Sequence, residues 1–445
     1  MAERVALTGV RLIDGSGRDP VDDAVLVMEG PTIVAAGAAI EVRLDPDATV
    51  VDASGATVMP GIIDAHCHLG GNSHPDEDSW VLQPDRYQAI ASVAQARALL
   101  RHGVTSVRDI SVNGTHLRQA IADGLIEGPR IVPCWRGLSR RGGHGDANGV
   151  PVELVRTSHP WGIVADGADE VRRATREVIR NGSRCIKVWA SGGGLSENDP
   201  EDAQHFSLEE LRVIVEEANY VHLPVAAHCE CRSAARSAVE AGVWSIEHGE
   251  DLDEETVELM AAKHISLNPT LVLLTKWAAL SKDYGGHYGK PYIPGGGPVP
   301  EDREEMLALL HDRLSSNLLA ARDAGVRIGV GSDSFSTELT PYGEQTLEEV
   351  RALVAAGMTE MEALVAATRS GAEILRIDEA TGTLEAGKSA DILVLDGDPL
   401  DDISVISPES MLLVVKEGVV VRNSLFEAAG SAWGRAEVGE ATAAL

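Results

Sequence analysis

His66 and His68, two residues apart in PGIIDAHCHL, begin a series of metal-binding and proton-transferring side chain types that continues with Lys187, His228 and His248 and closes at Asp333. Each stands at or near the end of a short apolar, β-branched run, where successive strands would aim them at one point. Residues two apart on a strand leave the same face, so His66 and His68 can grip a single divalent ion through their imidazole nitrogens. Lys187, in RCIKVWASGG, ends a buried run, and a cation there needs a partner or a task. It can pair with an acidic neighbour or reach solvent. Alternatively, desolvation frees its amine to capture carbon dioxide as a carbamate, an anion able to bridge two metals. His228 and His248 would then give imidazoles to the second ion, although singly either reads as a core histidine. Asp333, in IGVGSDSF, can bind the first ion and carry a proton from a metal-bridging water to the leaving group; its other reading is a turn or helix N-cap. Gly331 beside it permits close backbone approach. His74, His102, His116, His159, His205, His222, His264 and His311 fall mostly in helices or loops and need no special role.

The elements that must position these groups alternate along the chain. Apolar runs suited to buried parallel strands occur at TVMPGIIDAHCHL, VTSVRDI, RIVPCW, RCIKVWASGG, PVAAHCE, WSIEHGE, ISLNPTLVLL and VRIGVGSDSF, with amphipathic helical patterns between them. Several helices end in glycine just before the next run, at Gly103, Gly182, Gly242 and Gly325, as a left-handed cap would require. Eight strands alternating with helices predict an α/β fold, a (β/α)8 TIM barrel over residues 58–380. The two chain ends read instead as short strands and turns, and residues 1–57 and 381–425 are expected to join in one small composite β-sandwich. Residues 426–445 form a tail. Gly/Pro-rich insertions at 139–163 and 284–300 are expected to wall the active site.

Composition narrows the function. The 445 residues carry a net charge of −31, which repels nucleic acid and anionic membranes and leaves a small molecule as the expected partner. No apolar leader follows a basic segment and no run reaches membrane-spanning length, so a cytoplasmic protein is expected. The five cysteines show no spacing of a disulfide framework. Cys67 and Cys229 alternate with the histidines and would face the surrounding helices as small buried hydrophobes. Cys185 would lie on the inward face of Lys187, one layer deeper.

PGIIDAHCHL, IKVWASGG, AAHCE, SIEHGED and GVGSDS, with the closing TGTLEAGKSADILVLDGDPL, together resemble the amidohydrolase superfamily over nearly the whole chain. Within it the chain looks most like the imidazolonepropionase-related branch, which holds Xaa-Pro and other dipeptidases, carboxypeptidases, ochratoxin-type amidases and some herbicide-degrading hydrolases. The resemblance implies that His66, His68 and Asp333 bind one metal, His228 and His248 the other, and a carboxylated Lys187 bridges them. It also implies that His144, in RRGGHGD, steadies the oxyanion or the substrate. Cys67 stands where the family motif has threonine, and HCECRSA departs from the small or aromatic residues expected after the fifth-strand histidine. The resemblance further implies a homo-oligomer, because related enzymes often assemble into dimers or larger rings.

The chemistry expected is hydrolysis. Two divalent ions, zinc first and cobalt or manganese as substitutes, lower the pKa of a shared water and polarise the scissile carbonyl. Arg140, Arg141 and Arg232 are candidates for holding a substrate carboxylate, and each has an ordinary surface charge as its alternative. Trp189 and the adjacent Ser-Gly-Gly-Gly loop would shape the pocket floor and rim. The leading expectation is cleavage of an amide-type bond in a dipeptide or N-acyl amino acid. Hydrolysis of an aryl urea, carbamate or thiocarbamate is the second, one-metal deamination has no use for the bridging lysine, and a non-catalytic barrel scaffold is the third.

Overall fold

The computed structural model describes residues 3–193, 199–280, 293–296 and 298–425, with only the backbone of 277–280. The tail 426–445, most of the insertion at 284–300 and Gly194 of the glycine loop lie outside the described residues. Two compact units emerge: Met1–Ile63 with Leu100–Thr105 and Glu360–Leu445, and Asp64–Leu99 with Ser106–Thr359.

In the first unit, strands from both chain ends share one mixed sheet. Its order is Val419–Asn423, Met411–Lys416, Ile392–Asp396, Ala56–Pro60, Arg4–Leu12, Val21–Glu29 and Thr32–Ala38, with Thr49–Asp52 also paired to Arg4–Leu12. The seam between the ends is antiparallel, with Ile392 opposite Pro60 and Val394 opposite Val58. Alternate residues turn inward, so Leu7, Leu26, Ile33, Val58, Ile392, Val394, Leu413 and Val415 make a buried apolar face. Burial of such side chains contributes about 1.5–3 kcal/mol each, enough to hold together ends that could not fold alone. The helices that follow residue 343 are divided between the units. Glu344–Ala355 belongs to the second unit, whereas Glu360–Val365, a π-helical turn Ala366–Ser370 and Gly371–Leu375 belong to the first. Gly371 lies against Ile63 there, where a Cβ would come within 3.0 Å.

In the second unit the strands run parallel. One sheet has the order Gly162–Val164, Gly137–Ser139, Ile186–Trp189, Val225–Cys229, Ser245–His248 and Ser266–Asn268; the other has Ile62–Cys67, Val104–Asp109 and Arg130–Pro133. Backbone bonds join them on one side, Arg184 N–H to Pro133 O at 2.6 Å. On the other side, residues 326–334 lie between the sheets, with parallel bridges Leu267 to Ile328 and Cys67 to Ser334. That eighth run makes isolated bridges rather than a regular strand. Gly331 explains part of this, because a Cβ there would come within 2.9 Å of His66 Cβ. Two further differences concern local pattern. The insertion 139–163 holds a helix, Val152–Ser158, and the strand Gly162–Val164. The apolar LVLL after Asn268 is the start of helix Leu271–Leu280, whose first N–H groups, Leu271 and Val272, are accepted by Glu349. Gly103, Gly182, Gly242 and Gly325 all have positive φ, between 77° and 89°, as their capping positions require.

Buried Asp64 fastens the eighth run to the first strand. Its carboxylate accepts the N–H groups of His66 and Ser332, both at 3.1 Å, and the Thr346 hydroxyl at 2.7 Å. Replacing Asp64 with alanine leaves these buried donors without a partner, and we expect a stability loss of about 2–4 kcal/mol by urea denaturation. A loss below about 1 kcal/mol would show that this clasp is dispensable.

Candidate active site

His66 and Lys187 meet at the centre of the parallel strands, with Lys187 Nζ 3.2 Å from His66 Nε2. Asp333 Oδ1 stands 3.5 Å from His66 Nε2 and 3.0 Å from His68 Nε2, and the ligand atoms of His66, His68 and Asp333 lie within 4.8 Å of one another. His248 joins through its ring, 5.1 Å from that of His66, and Asp333 Oδ2 is 3.9 Å from His248 Nδ1. His228 packs edge-on against His248 at 4.5 Å. All six side chains are buried. The structure therefore gathers every residue expected as a ligand.

The histidines are oriented from behind. His66 Nδ1 is bonded to Glu247 at 2.7 Å, His68 Nδ1 to Ile110 O at 3.0 Å and His248 Nδ1 to Thr270 Oγ1 at 2.7 Å. Each bond fixes a ring and leaves its Nε2 for the centre, the arrangement metal-binding histidines require. His228 Nε2 meets Gly192 O at 2.9 Å and lies 3.5 Å from Glu230 Oε1. Three of the positioning residues, His248, Thr270 and Asp333, have positive φ of 67°, 50° and 50°.

Burial sets the charge states. It pushes His66 down to about 4, helped by Lys187, and lowers His68, His228 and His248 as well. Neutral imidazoles are the form that binds metal. Burial likewise lowers Lys187, toward the free amine that carboxylation consumes. Burial alone would raise Asp333, but His66, His68 and His248 hold it well below the usual carboxylate range. Four neutral imidazoles, a carboxylate and a buried amine converging in this way fit a divalent metal centre in their donor chemistry.

Several residues of the site carry no signal at the level of strand alternation. Glu247 precedes His248 yet points inward, where it accepts from Arg108 at 2.6 Å, His66 at 2.7 Å, Ser245 at 2.5 Å and Asn268 at 3.0 Å. Burial would raise its carboxyl, but Arg108 and His66 keep it ionised. Asp199 binds His144 Nδ1 at 2.6 Å and lies 3.4 Å from His205 Nε2. His144 in turn stacks on His228 at 4.4 Å, with Trp189 6.2 Å away on its other contacts. Lys187 Nζ sits 5.8 Å from the Trp189 ring. Two histidines expected to have no role thus acquire one: His205 beside Asp199, and His159, which accepts the N–H groups of Trp161 and Gly162 and so holds Trp161 against His68 at 4.4 Å.

The arginine expectations divide. Arg140 remains near this group, its Nε buried without a partner. Arg141 pairs with Asp166 at 3.2 Å and Arg232 with Asp251 at 2.8 Å, each more than half exposed on the arginine side, so an acidic partner already takes up each guanidinium. Glu230 instead brings a buried acid to 3.5 Å from His228 Nε2. Burial, and after it the charge of Glu250, push Glu230 well above the usual range, and burial does the same to Glu250.

Residues 57–421 match the model of the amidohydrolase family. The chain belongs to that family. It is 34% identical over 426 residues to ochratoxinase of Aspergillus niger, covering 92% of this chain and 84% of that protein. The crystal structure of a prolidase complexed with N-methylphosphonate-L-proline superposes with a TM-score of 0.82 at 32% identity, covering 94% of this chain and 100% of the other. A Xaa-Pro dipeptidase with bound methionine gives 0.80 at 27% identity, covering 94% and 99%. The fold is accordingly of the TIM-barrel α/β type, and the protein is a hydrolase acting on amide C–N bonds, with a His66, His68 and Asp333 cluster suited to a divalent metal. The scaffold reading is set aside. Among the described residues no helix is long and apolar enough to cross a membrane.

Substituting Glu247 with glutamine keeps its shape and removes the charge facing Arg108 and His66. We expect metal affinity to fall by about 10–100-fold in a competitive chelator titration, with unchanged affinity counting against an orienting role. A second expectation concerns acid. His66 at about 4 and His159 at about 3 are depressed below their unfolded value near 6.5, so the unfolded chain binds more protons between those limits. Their stability contribution is complete above about pH 6.5 and is lost as pH falls toward 4 and below. The midpoint of thermal unfolding should drop across that window, and His159→Gln should flatten the drop; an unchanged slope in the variant would exclude His159 as a contributor.

Proposed function

We propose that this chain is a binuclear metal-dependent amidohydrolase that cleaves an amide C–N bond of a small molecule, a dipeptide or N-acyl amino acid. The observation that carries the reading is the convergence of Lys187 Nζ on His66 Nε2 at 3.2 Å, with His68, Asp333 and the His228–His248 pair around them. His66, His68 and Asp333 would hold one ion, His228 and His248 the other, and Lys187, carboxylated by carbon dioxide, would stand between them. When bound, the ions, zinc by preference and cobalt or manganese as substitutes, supply Lewis acidity toward the carbonyl and acidify a shared water.

The chain's own residues do the rest. Asp333, held ionised by three imidazoles, accepts the proton of the attacking water and returns it to the departing amine. His144 has Nδ1 committed to Asp199, which leaves Nε2 to hydrogen-bond the oxygen on which negative charge develops. Trp161 and Trp189 bound the histidines with apolar surface, which lowers the local dielectric and strengthens each of these interactions. Glu247 positions His66 and touches no reacting atom. The relatives named for amide and dipeptide substrates favour this reading over the urea and carbamate alternative. The same reading takes the parallel strands as a closed (β/α)8 ring, the sheet of the chain ends as a sandwich, and the active form as a homo-oligomer.

Lys187→Ala tests the bridge. Elemental analysis should show loss of the second metal, and turnover of a panel of dipeptides and N-acyl amino acids should fall more than about 100-fold. Two metals per chain and an undiminished rate in the variant would rule the bridge out. A panel including aryl ureas and carbamates, assayed with zinc-, cobalt- and manganese-loaded enzyme, separates the bond types.

A further inference from the structure

One helix, Glu344–Ala355, reaches three of the chain segments that build the centre. Its apolar side chains Leu347, Val350 and Leu353 pack inward as an outer helix of an α/β fold should, yet Gln345, Thr346 and Glu349 are buried with them, and so is Tyr342 just ahead. Each polar group has a specific partner. Tyr342 Oη donates to His68 O at 2.8 Å, and Gln345 Nε2 donates to Ser332 O at 3.0 Å. Thr346 Oγ1 donates to Asp64, which also holds the N–H groups of His66 and Ser332. Glu349 accepts the Leu271 N–H at 2.8 Å with one oxygen and the Val272 N–H at 2.9 Å with the other. Lys276 Nζ donates to Gln345 Oε1 at 2.8 Å and ties helix Leu271–Leu280 back to this face.

Thr270 makes the Glu349 contact more than a helix cap. It stands where a helix's own capping side chain stands, and a threonine hydroxyl there ordinarily accepts an N–H of the first turn. Here its φ is 50° rather than extended, and its Oγ1 is bonded to His248 Nδ1 at 2.7 Å. Glu349 takes over the first-turn N–H groups, which leaves the Thr270 hydroxyl to the histidine. Buried polar groups that are fully bonded select one arrangement of a core, because other packings leave a donor or acceptor unmet.

We propose that Glu349 is a positioning residue for His248, acting through Thr270, and that Thr346 is one for His66 and Asp333, acting through Asp64. One helix face thereby sets ligands of both ions. The inference rests on the binuclear reading and adds to it a division of labour along this helix: its first turn serves one ion, and Glu349 serves the other.

The test is a competitive chelator titration of the metal-loaded full chain, in which the step abolished by His248→Ala marks one ion and the step abolished by His68→Ala marks the other. Glu349→Gln keeps one acceptor and turns an amide donor toward the second backbone N–H. It should weaken the His248 ion by about tenfold and leave the other within about threefold. Thr346→Val should show the reverse. Glu349→Asp, with both acceptors one methylene back, replaces the glutamine variant if that chain does not fold, and should act on the same ion. In a Thr270→Ala background, Glu349→Gln should change that ion's affinity by less than about threefold, since the link is already cut. Equal weakening of both ions by either substitution, unchanged affinity in Glu349→Gln or in Thr346→Val, or a full further loss on top of Thr270→Ala would each overturn the proposal. A wild type that binds fewer than two ions would sink the binuclear reading, and the positioning role is then judged on the metal-free chain by nitrogen–proton correlation spectra of its histidine rings. Movement of the His248 ring signals, identified by their loss in His248→Ala, in Glu349→Gln and not in Thr346→Val supports it. Signals that stay in place in Glu349→Gln, or move alike in both variants, overturn it.

Discussion

One carboxylate anchors the centre. Glu247 is fully buried and takes donors from four directions, Arg108, His66, Ser245 and Asn268, which come from three different strands and from its own. An ion pair in that position contributes little net stability, because removing both charges from water costs several kcal/mol. Its worth lies in geometry. With Nδ1 of His66 held by Glu247, Nε2 has one direction left, toward Lys187 and Asp333. Every other group of the centre is measured from that nitrogen, Lys187 at 3.2 Å and Asp333 at 3.5 Å.

Burial then does two kinds of work at once. The low dielectric that makes the Glu247–Arg108 pair strong also favours the neutral forms of the imidazoles and lowers Lys187. A site with four neutral imidazoles around one ionised aspartate is rich in electron pairs. That is a protein surface prepared for cations, and it explains why the same packing that would be a liability in an ordinary core is tolerable in a member of this family.

The residues that converge were legible in the sequence because residue type and strand-end position single them out: His66, His68, Lys187, His228, His248 and Asp333 all come together. Their supports were not, for reasons visible in particular residues. Glu247 sits next to His248, and strict alternation would send the two to opposite faces; the φ of 67° at His248 breaks the alternation and lets both turn inward. Asp199 reaches His144 across 55 residues of sequence from a loop that has no periodicity to read. Arg141 and Arg232 had the right chemistry for a carboxylate clamp, but charge type says nothing about which of many nearby acids an arginine meets first. The same limit applies to the fold. The parallel strands were visible as apolar runs, whereas the division of the last helices between the two units depends on what packs against Gly371, a contact that no local pattern records.

The left-handed backbone at His248, Thr270 and Asp333 joins these strands of argument. Each such residue costs about 1–3 kcal/mol, and none is glycine, which would relieve the strain. Glycine would also delete the side chain that the turn exists to deliver. His248 and Thr270 are bonded to each other at 2.7 Å, and Asp333 N–H is tied to His66 O at 2.8 Å, so the strained residues hold one another through the groups they position. A regular strand end would carry these side chains along the sheet normal and away from a common point. Folding them back over the strand tips is what turns three separate tips into one centre, and the strain is the conformational cost of that convergence.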